Sequence, residues 1–416
     1  MSTRLRAYLT ALGPGLVTGA ADDDPSGIAT YSQVGAQFGY GLAWTMLFSF
    51  PLMAVIQAIS ARIGAATGRG IASNLRRHYP PWVLRLVVGL LIVANVANLG
   101  ADLGAMGAAL TLVIGGPVLL YTILFSLVCV LLEIFVSYTR YAATLKWGAS
   151  SLFAYVAVVF AADVPWGTAL EATLIPRLDF DTPHFVALVA ILGTTISPYL
   201  FFWQAGQEVE ELHRRHVKPL CLAPRSAGPE LARIRADTIT GMAVSNLIAL
   251  FVIFATAATL HAHGIDDIAT SAQAAEALRP IAGPLTFLLF AGGIVATGML
   301  AVPVLAGSTA YAVSEMFRWP EGLDRGLREA RAFYGTIAAA TLGGAVLNFT
   351  PIDPVKALYW SAVVNGVLAA PLMAVMMALA TNRRVMGRLS LPPTMIALGW
   401  LATAVMAAAS IALFVL

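Results

Sequence analysis

The feature that most constrains this chain is a charged break inside an apolar segment, Asp22-Asp23-Asp24-Pro25-Ser26-Gly27. Residues 8–21 before it and 28–44 after it are apolar enough for a membrane helix. A proline and a glycine so close together interrupt helical hydrogen bonding. Backbone groups freed in hydrocarbon must face protein or a water-filled cavity, and aspartates at membrane depth are usually functional. The sequence therefore predicts a broken membrane helix that binds a cation at its break.

Apolar runs of about 20 residues, the length that crosses a bilayer, recur along the whole chain. With 59% apolar and 11% charged residues, the chain is far more apolar than soluble domains, for which about 45–50% and about 25% are usual. No polar stretch, not even 213–237, is long enough to fold separately, so we predict one all-α membrane domain over residues 1–416. Its eleven spans are expected at 8–36 (broken), 41–63, 82–113, 118–138, 145–162, 184–212 (broken), 238–260, 284–317, 332–349, 355–380 and 392–416.

The basic residues indicate how these spans cross the membrane. If the N-terminus is cytoplasmic, only Arg177, Arg279 and Lys356 of the 25 lysines and arginines fall outside the cytoplasmic segments. Cytoplasmic loops carry such an excess of positive charge in membrane proteins. We therefore predict an inner (plasma) membrane protein with a cytoplasmic N-terminus and an external C-terminus. Its two cysteines argue against a disulfide framework.

A second break lies in the sixth span, at Gly193-Thr194-Thr195-Ile196-Ser197-Pro198-Tyr199. It follows the first break by five spans, an odd number, so the second unit would be inverted relative to the first. Interrupted helices at matching positions of two inverted halves mark transport sites. The sequence predicts two inverted repeats and one additional span, at 1–162, 184–380 and 392–416.

Further polar side chains could join the two breaks. In the third span Asn95, Asn98 and Asp102 share one helix face. After the second break a similar stripe consists of Gln204, Gln207 and Glu208. Such stripes either hold neighbouring helices together or line a hydrated pathway, and the pattern leaves both readings open. Asp102 favours the pathway, because a buried carboxylate needs a partner or water.

Several motifs resemble the Nramp (natural resistance-associated macrophage protein) metal-ion transporters. They are Gly13-Pro14-Gly15, Asp24 to Thr30, Gly35 to Tyr40, Ala61 to Gly64, and Ala370-Pro371 with Asn382-Arg383. The resemblance implies a leucine-transporter-like inverted repeat, spans one to five and six to ten, with the ion held between broken spans one and six. It also implies a metal substrate rather than a resident cofactor.

The chain departs from that family at its ligands. Asp24 keeps the acid of the first-span motif, but Gly27 stands where the family has an asparagine ligand. Ser197-Pro198-Tyr199 stands where the family has Met-Pro-His. Oxygen ligands and water suit Mg²⁺, Ca²⁺ or Mn²⁺, whereas sulfur favours transition metals. The pattern resembles the divergent magnesium-transporting branch.

This reading assigns roles around the two breaks. Asp24 is expected to be the main charged ligand, and one of Asp22 and Asp23 to line the vestibule through which the ion arrives. On the other side we expect the backbone carbonyls of Thr194 and Thr195, with Ser197 acting through a retained water. The remaining candidates for a vestibule or a second layer are Asn95, Asn98, Asp102, Tyr199, Gln204, Gln207 and Glu208.

The proton-coupling residues of the family are also altered. On our alignment Leu99 replaces a span-three aspartate, Asp102 falls at a glutamate position, and Tyr199 and Gln204 replace two histidines. Histidines and perturbed carboxylates are the usual proton carriers. Transport with little or no proton coupling is therefore expected.

The leading hypothesis is a secondary transporter that imports hydrated Mg²⁺, with Mn²⁺ tolerated, by alternating access. The alternatives are a proton-coupled Mn²⁺/Fe²⁺ importer and an amino-acid or organic-solute permease on the same fold. No nucleotide-binding loop, zinc-protease helix or nucleophile motif is present in the sequence. We therefore predict no enzymatic activity, no cofactor, no nucleic-acid binding and no protein partner. The expected partners are the transported divalent metal ion and the lipid bilayer.

Overall fold

The computed structural model describes residues 14–136, 150–177 and 179–415. Every regular element in these ranges is helical, as the predicted all-α class requires. The helices are α1 (Pro14–Asp22), α2 (Pro25–Phe38), α3 (Trp44–Thr67), α4 (Ile71–His78), α5 (Pro81–Ile114), α6 (Val118–Phe135), α7 (Phe153–Ala161), α8 (Trp166–Leu174), α9 (Thr182–Thr195), α10 (Pro198–Arg214), α11 (Pro224–Thr259), α12 (Ser271–Glu276), α13 (Arg279–Ala282), α14 (Thr286–Phe317), α15 (Arg331–Val346), α16 (Pro354–Thr381), α17 (Arg383–Met386) and α18 (Pro393–Val415).

Nine helical segments in the described ranges are long and apolar enough to cross a membrane, counting α9 and α10 together. The first predicted span consists of two shorter helices, α1 and α2, on either side of the aspartate break. The predicted fifth span is represented by a short apolar helix, Ser150–Ala161, and its beginning lies outside the described residues. The count of eleven therefore stays a prediction.

Both breaks have the same local cause. Asp24 and Ser197 each precede a proline, and both adopt extended backbone angles, ψ 171° and 132°. The proline ring disfavours the helical conformation for the residue before it, and then occupies the first position of the next helix, where no amide is needed. The two predicted breaks thus form where the prolines place them.

The seventh span is longer than predicted. Helix α11 begins at Pro224 rather than near residue 238, so only residues 215–223 separate it from α10. Its charged first turns are paired, because Arg233 forms ion pairs with Glu208 at 2.8 Å and with Glu230 at 3.0 Å. Apolar run length could not reveal these turns, since their stability comes from ion pairs.

Glycines allow α1 and α11 to pack backbone to backbone. A Cβ atom at Gly15, Gly19 or Gly241 would collide with main-chain atoms of the opposite helix. Asp237 of α11 accepts hydrogen bonds from the amides of Gly15 (2.7 Å) and Leu16 (3.1 Å), which have no helical partner because they open α1. The half-helix before the first break is therefore held firmly to α11.

The two broken helices lie at the centre of the bundle. Helix α2 packs against α11, α16 and α9, whereas α10 packs against α3, α14 and α1. The periphery is apolar: Leu120, Leu124, Leu127 and Leu131 of α6 are all exposed, as expected of a lipid-facing surface. The polar residues of the two breaks are thus enclosed by helices.

Candidate functional site

The three aspartates of the first break are buried without a basic partner. Asp22, Asp23 and Asp24 are 1%, 4% and 1% exposed. Within the described ranges no lysine, arginine or histidine forms an ion pair with any of them. A buried charge without a partner is strongly unfavourable. The break is therefore built to receive positive charge.

Asp24 is held in one orientation by three hydrogen bonds. As the N-terminal cap of α2, its Oδ1 accepts from the Gly27 amide and from the Ser26 hydroxyl, both at 2.7 Å. Its Oδ2 accepts from the Asn98 amide at 2.9 Å. An ionised carboxylate can accept about four hydrogen bonds. The fourth position, on Oδ2, lies 3.4 Å from the Tyr199 hydroxyl, so a cation or its water would compete with that hydroxyl for Asp24.

Tyr199 closes the site from α10. Its hydroxyl donates to the Ala21 carbonyl at 3.0 Å and lies 3.4 Å from Asp24 Oδ2. The Ala21 carbonyl is at the end of α1, where helical partners run out. Tyr199 thus connects the second break to the first, next to the carboxylate that the sequence singled out.

Oxygen atoms from both breaks converge beside Gly27. A Cβ atom at this position would lie 3.1 Å from Thr194 Oγ1, 3.2 Å from the Asp22 carbonyl oxygen and 3.4 Å from Asp24 Oδ1. The three oxygens come from α9, from α1 and from the residue between α1 and α2. All three lie within 3.4 Å of one point beside Gly27, so oxygen atoms of both breaks are close neighbours there and are available to a hydrated cation near the break.

The hydroxyls of the second break donate mainly to carbonyls of their own helix end. Ser197 Oγ donates back to the carbonyls of Gly193 and Thr194, both at 2.8 Å, because helix ends leave carbonyls that a nearby hydroxyl can satisfy. Thr195 Oγ1 donates to the Ile191 carbonyl at 2.9 Å. The Thr194 carbonyl keeps a second lone pair, so the carbonyl ligands stay a prediction, while the Thr194 side chain approaches Gly27 as well.

Asp22 and Asp23 both contact α11 through Ser245. The Ser245 hydroxyl lies 2.7 Å from Asp22 Oδ2 and 3.1 Å from Asp23 Oδ1. An outer cavity of about 370 Å³ is lined by other residues, among them Gln33 and Lys356. Asp23 also borders a separate cavity of about 130 Å³ between α1 and α11, and the expectation that one of the two aspartates lines the approach stays a prediction.

The polar residues of the third-span stripe, Asn95, Asn98 and Asp102, have different roles. Asn95 donates to the Leu305 carbonyl and to the hydroxyls of Ser308 and Thr309 on α14 at 2.8–3.1 Å, so it holds two helices together. Asp102 is fully buried, and neither of its oxygens has a hydrogen-bond partner. Only Asn98 and Asp102 therefore belong to the surroundings of Asp24.

The stripe on α10 is engaged in contacts with other side chains. Gln204 accepts from the Thr18 hydroxyl and donates to Glu208 at 3.2 Å. Glu208 is the partner of Arg233 on α11, and Gln207 donates to the Tyr311 hydroxyl at 3.2 Å. Their contacts make these residues structural connections between α10 and the helices around it.

The family model described as natural resistance-associated macrophage protein-like matches residues 15–416 of this chain. The chain belongs to the Nramp family. A protein of Verminephrobacter eiseniae named divalent metal cation transporter MntH is 28% identical over 383 residues, 90% of this chain and 82% of the relative. One of Deinococcus radiodurans with the same name is 27% identical over 405 residues, 95% and 87%.

Solved structures show the Nramp fold in this chain. The crystal structure of an Eremococcus coleocola manganese transporter, in complex with an aromatic bis-isothiourea compound, superposes with a TM-score of 0.76 at 16% identity, covering 99% of this chain and 87% of that one. A nucleobase-cation-symport-1 family transporter in a closed conformation reaches 0.58 at 15% identity, covering 97% and 92%. The predicted leucine-transporter-like, all-helical architecture is confirmed, while the boundaries of its repeats stay a prediction.

Two residues of this Nramp protein escaped the sequence analysis. Ser245 on α11 touches two of the aspartates, and Asn365 on α16 donates to Asn98 at 3.3 Å. Both were visible as polar residues inside apolar spans. Their spans have no break, so nothing in the sequence indicated which helix face turns toward the site.

The site of this Nramp protein relies on few charged ligands. Among the described residues no group of three or more His, Cys, Asp or Glu side chains is arranged to hold a metal ion. The oxygens beside Gly27 belong to one carboxylate, one hydroxyl and one carbonyl. Mg²⁺ is typically bound through one or two carboxylates while it keeps several waters. The donor set fits a partly hydrated hard cation.

Filling the space beside Gly27 should impair transport. In Gly27→Ala the new Cβ would press on the Thr194 hydroxyl at 3.1 Å and on the Asp22 carbonyl oxygen at 3.2 Å, and overpacking of this kind costs about 1–3 kcal/mol. We expect initial divalent-cation uptake into proteoliposomes to fall about tenfold. Gly292→Ala is the matched control, since nothing lies within 4 Å of a Cβ there. Unchanged uptake in Gly27→Ala would exclude this space as the ion position.

Proposed function

We propose that this Nramp-family protein transports divalent metal cations, and that it prefers Mg²⁺ carried with part of its water shell, with Mn²⁺ tolerated. The relatives named divalent metal cation transporter support the general part of the proposal, as does the fold likeness to a manganese transporter. The preference for Mg²⁺ rests on the chain's own residues.

One observation carries this preference: the three atoms nearest to a Cβ built at Gly27 are all oxygens, one each of Asp22, Asp24 and Thr194. Thioether and imidazole ligands select transition metals, whereas carboxylate, carbonyl and water suit Mg²⁺. Gly27 itself brings no side chain, which leaves room for water on the ion. A site with one directed carboxylate and retained water is the usual arrangement for Mg²⁺.

We infer that the ion moves by alternating access through one membrane domain, with no enzymatic step, resident cofactor or protein partner. The proposed orientation places the N-terminus in the cytoplasm, where the basic residues of the chain accumulate. An inside-negative potential would then draw a divalent cation inward with about 4.6 kcal/mol per 100 mV. This drive needs no proton gradient.

The absence of proton coupling is supported by the residues at the former relay positions. Leu99 is apolar and buried, and Tyr199 and Gln204 are engaged in hydrogen bonds. His184 lies at the start of α9 and contacts the exposed Asp181 at 2.7 Å, far along the helix from the break. In the described ranges no histidine forms an ion pair with an aspartate of the first break.

A proton-coupled Mn²⁺/Fe²⁺ importer is the second candidate function. It is favoured by Asp102, whose two buried oxygens have no hydrogen-bond partner, because such a carboxylate can carry a proton. A permease for amino acids fits less well, since the carboxylate of its substrate would meet three buried aspartates. The difference between the first two candidates lies in whether protons accompany the ion.

Uptake into proteoliposomes tests this proposal. We expect Mg²⁺ and, more weakly, Mn²⁺ to enter under an inside-negative potential, with Ca²⁺ and Cd²⁺ as comparison ions. The fluorescence of a pH-sensitive dye trapped in the lumen should stay constant during Mg²⁺ uptake. Acidification that accompanies uptake and disappears in Asp102→Asn would replace the uncoupled mechanism by the proton-coupled one.

A further inference from the structure

The carboxamide of Asn98 has two chemically different ends, and its orientation decides what Asp24 meets. Its Nδ2 donates to Asp24 Oδ2 at 2.9 Å. A carboxamide turned by 180° has nearly the same shape, so hydrogen-bond partners select the orientation. In the reversed orientation the Asn98 carbonyl oxygen would face a carboxylate oxygen, and the two would repel each other.

Asn365 of α16 is the residue that selects this orientation. Its Nδ2 donates to Asn98 Oδ1 at 3.3 Å, which requires the Asn98 oxygen to point toward α16 and the Asn98 nitrogen toward Asp24. A chain of three polar side chains thus runs from α16 through α5 to the first break. Through this chain the tenth span positions the carboxylate that we assign as the main ligand.

Asn365 is also close to the second break. Its neighbour Gly366 contacts Gly193 of α9 so tightly that a Cβ at Gly193 would collide with the Gly366 backbone. Gly193 directly precedes Thr194, whose hydroxyl lies beside Gly27. Asn365 therefore directly precedes, in the chain, a close backbone contact with the helix of the second break.

The carbonyl oxygen of Asn365 has no hydrogen-bond partner in the protein, although the residue is only 1% exposed. A buried acceptor without a donor is costly, and each such group in a native structure calls for an explanation. A hydrated cation presents hydrogen-bond donors outward, because its waters bind the metal through oxygen. A neutral carbonyl oxygen is a suitable acceptor for such a water.

We propose that Asn365 is a specificity-determining residue of the transporter. Its amide holds Asn98 in the orientation that donates to Asp24, and its carbonyl oxygen accepts a hydrogen bond from a water that stays on the transported ion. This inference rests on the proposed transport of hydrated Mg²⁺. Since Mg²⁺ gives up its water reluctantly, Asn365 contributes more to Mg²⁺ than to ions that are carried with fewer waters.

The test compares Mg²⁺ and Mn²⁺ uptake by the full-length protein in proteoliposomes. In Asn365→Leu the apparent KM for Mg²⁺ should rise about tenfold, while the KM for Mn²⁺ changes much less, so that the ratio of the two values shifts. Asn95→Leu is the matched control. Asn95 is an equally buried asparagine one turn from Asn98 that contacts α14, and its loss should leave the ratio unchanged.

A second measurement uses the hexaamminecobalt(III) ion, whose six ammonia ligands do not exchange and which therefore binds only through its outer hydrogen-bond donors. It should compete with Mg²⁺ in the unaltered protein and compete about tenfold less well in Asn365→Leu. Should this variant fail to fold, Asn365→Ser keeps a small acceptor and should show an intermediate Mg²⁺/Mn²⁺ ratio.

Two failures are distinguishable. Mg²⁺ uptake with the same Mg²⁺/Mn²⁺ ratio in Asn365→Leu and in the unaltered protein overturns the role of Asn365 alone. An equal shift of the ratio in Asn95→Leu overturns it as well, because the effect would then be structural. Uptake of Mn²⁺ but not of Mg²⁺ by the unaltered protein overturns the proposed function, and the hydrated-ion role of Asn365 with it.

Discussion

Replacing Asp24 by asparagine is expected to reduce uptake of both Mg²⁺ and Mn²⁺ at least about 100-fold, because each tenfold loss corresponds to about 1.4 kcal/mol and a lost charged ligand costs more than twice that. The introduced carboxamide would keep nearly the same shape and could still accept from the Gly27 amide. The substitution therefore removes charge while the cap of α2 is preserved. Initial uptake in proteoliposomes is the measurement, with thermal stability in detergent recorded in parallel.

Glu133→Gln provides the control for removing a buried membrane carboxylate. Glu133 on α6 is 7% exposed, and both of its oxygens lack a hydrogen-bond partner, but it is remote from either break in the chain. This variant should transport at nearly the unaltered rate. If Asp24→Asn kept its rate and its apparent affinity, Asp24 would not be a ligand, and the position beside Gly27 would have to be abandoned.

The second large effect is expected on stability. Arg233 of α11 forms an ion pair at 2.8 Å with Glu208 of α10, whose side chain is fully buried. Removing one partner of a buried pair leaves the other charge uncompensated, which typically costs about 3–5 kcal/mol. Arg233→Met should therefore lower the apparent melting temperature strongly, as measured by size-exclusion chromatography of heated samples.

A double variant separates this cause from a general loss of packing. Arg233→Met combined with Glu208→Gln removes both charges of this pair, while Glu230 keeps Arg215 as a partner at 2.8 Å. The double variant should recover most of the lost stability, since replacing a whole buried pair is often nearly neutral. Arg235→Met, on the exposed side of the same helix, should change little. A double variant as unstable as Arg233→Met alone would show that the ion pair is not the source of the stability.

The sequence was sufficient for those features that prolines, glycines and apolar runs determine directly. The breaks at Pro25 and Pro198 follow from the ring geometry of proline, and the all-helical class follows from the need to satisfy backbone groups within each membrane segment. Asp24 could be singled out because it precedes Pro25 and so lies outside both helices. These arguments are local, and they do not depend on which helices are neighbours.

The partners of the site residues could not be derived in this way. Ser245 and Asn365 reach the breaks only because α11 and α16 pack against α2, and nothing in their own segments reveals that contact. The same holds for Glu208, whose role is decided by Arg233 in the first turns of α11. Ser197 illustrates a further limit, since its hydroxyl can satisfy its own helix end as readily as a ligand.

The glycine contact between α1 and α11 affects whether ions can leak through the protein outside the transport cycle. Main-chain atoms meet there directly. These glycines therefore have no long side chains that could keep the two helices in contact while they are partly separated. Packed contacts of this kind favour discrete arrangements over gradual deformation. We expect α1 either to stay packed against α11 or to separate from it completely, with no partly open state. On the proposed alternating-access mechanism, such a two-state contact would keep the pathway from becoming a continuous pore through which the gradient of the ion dissipates.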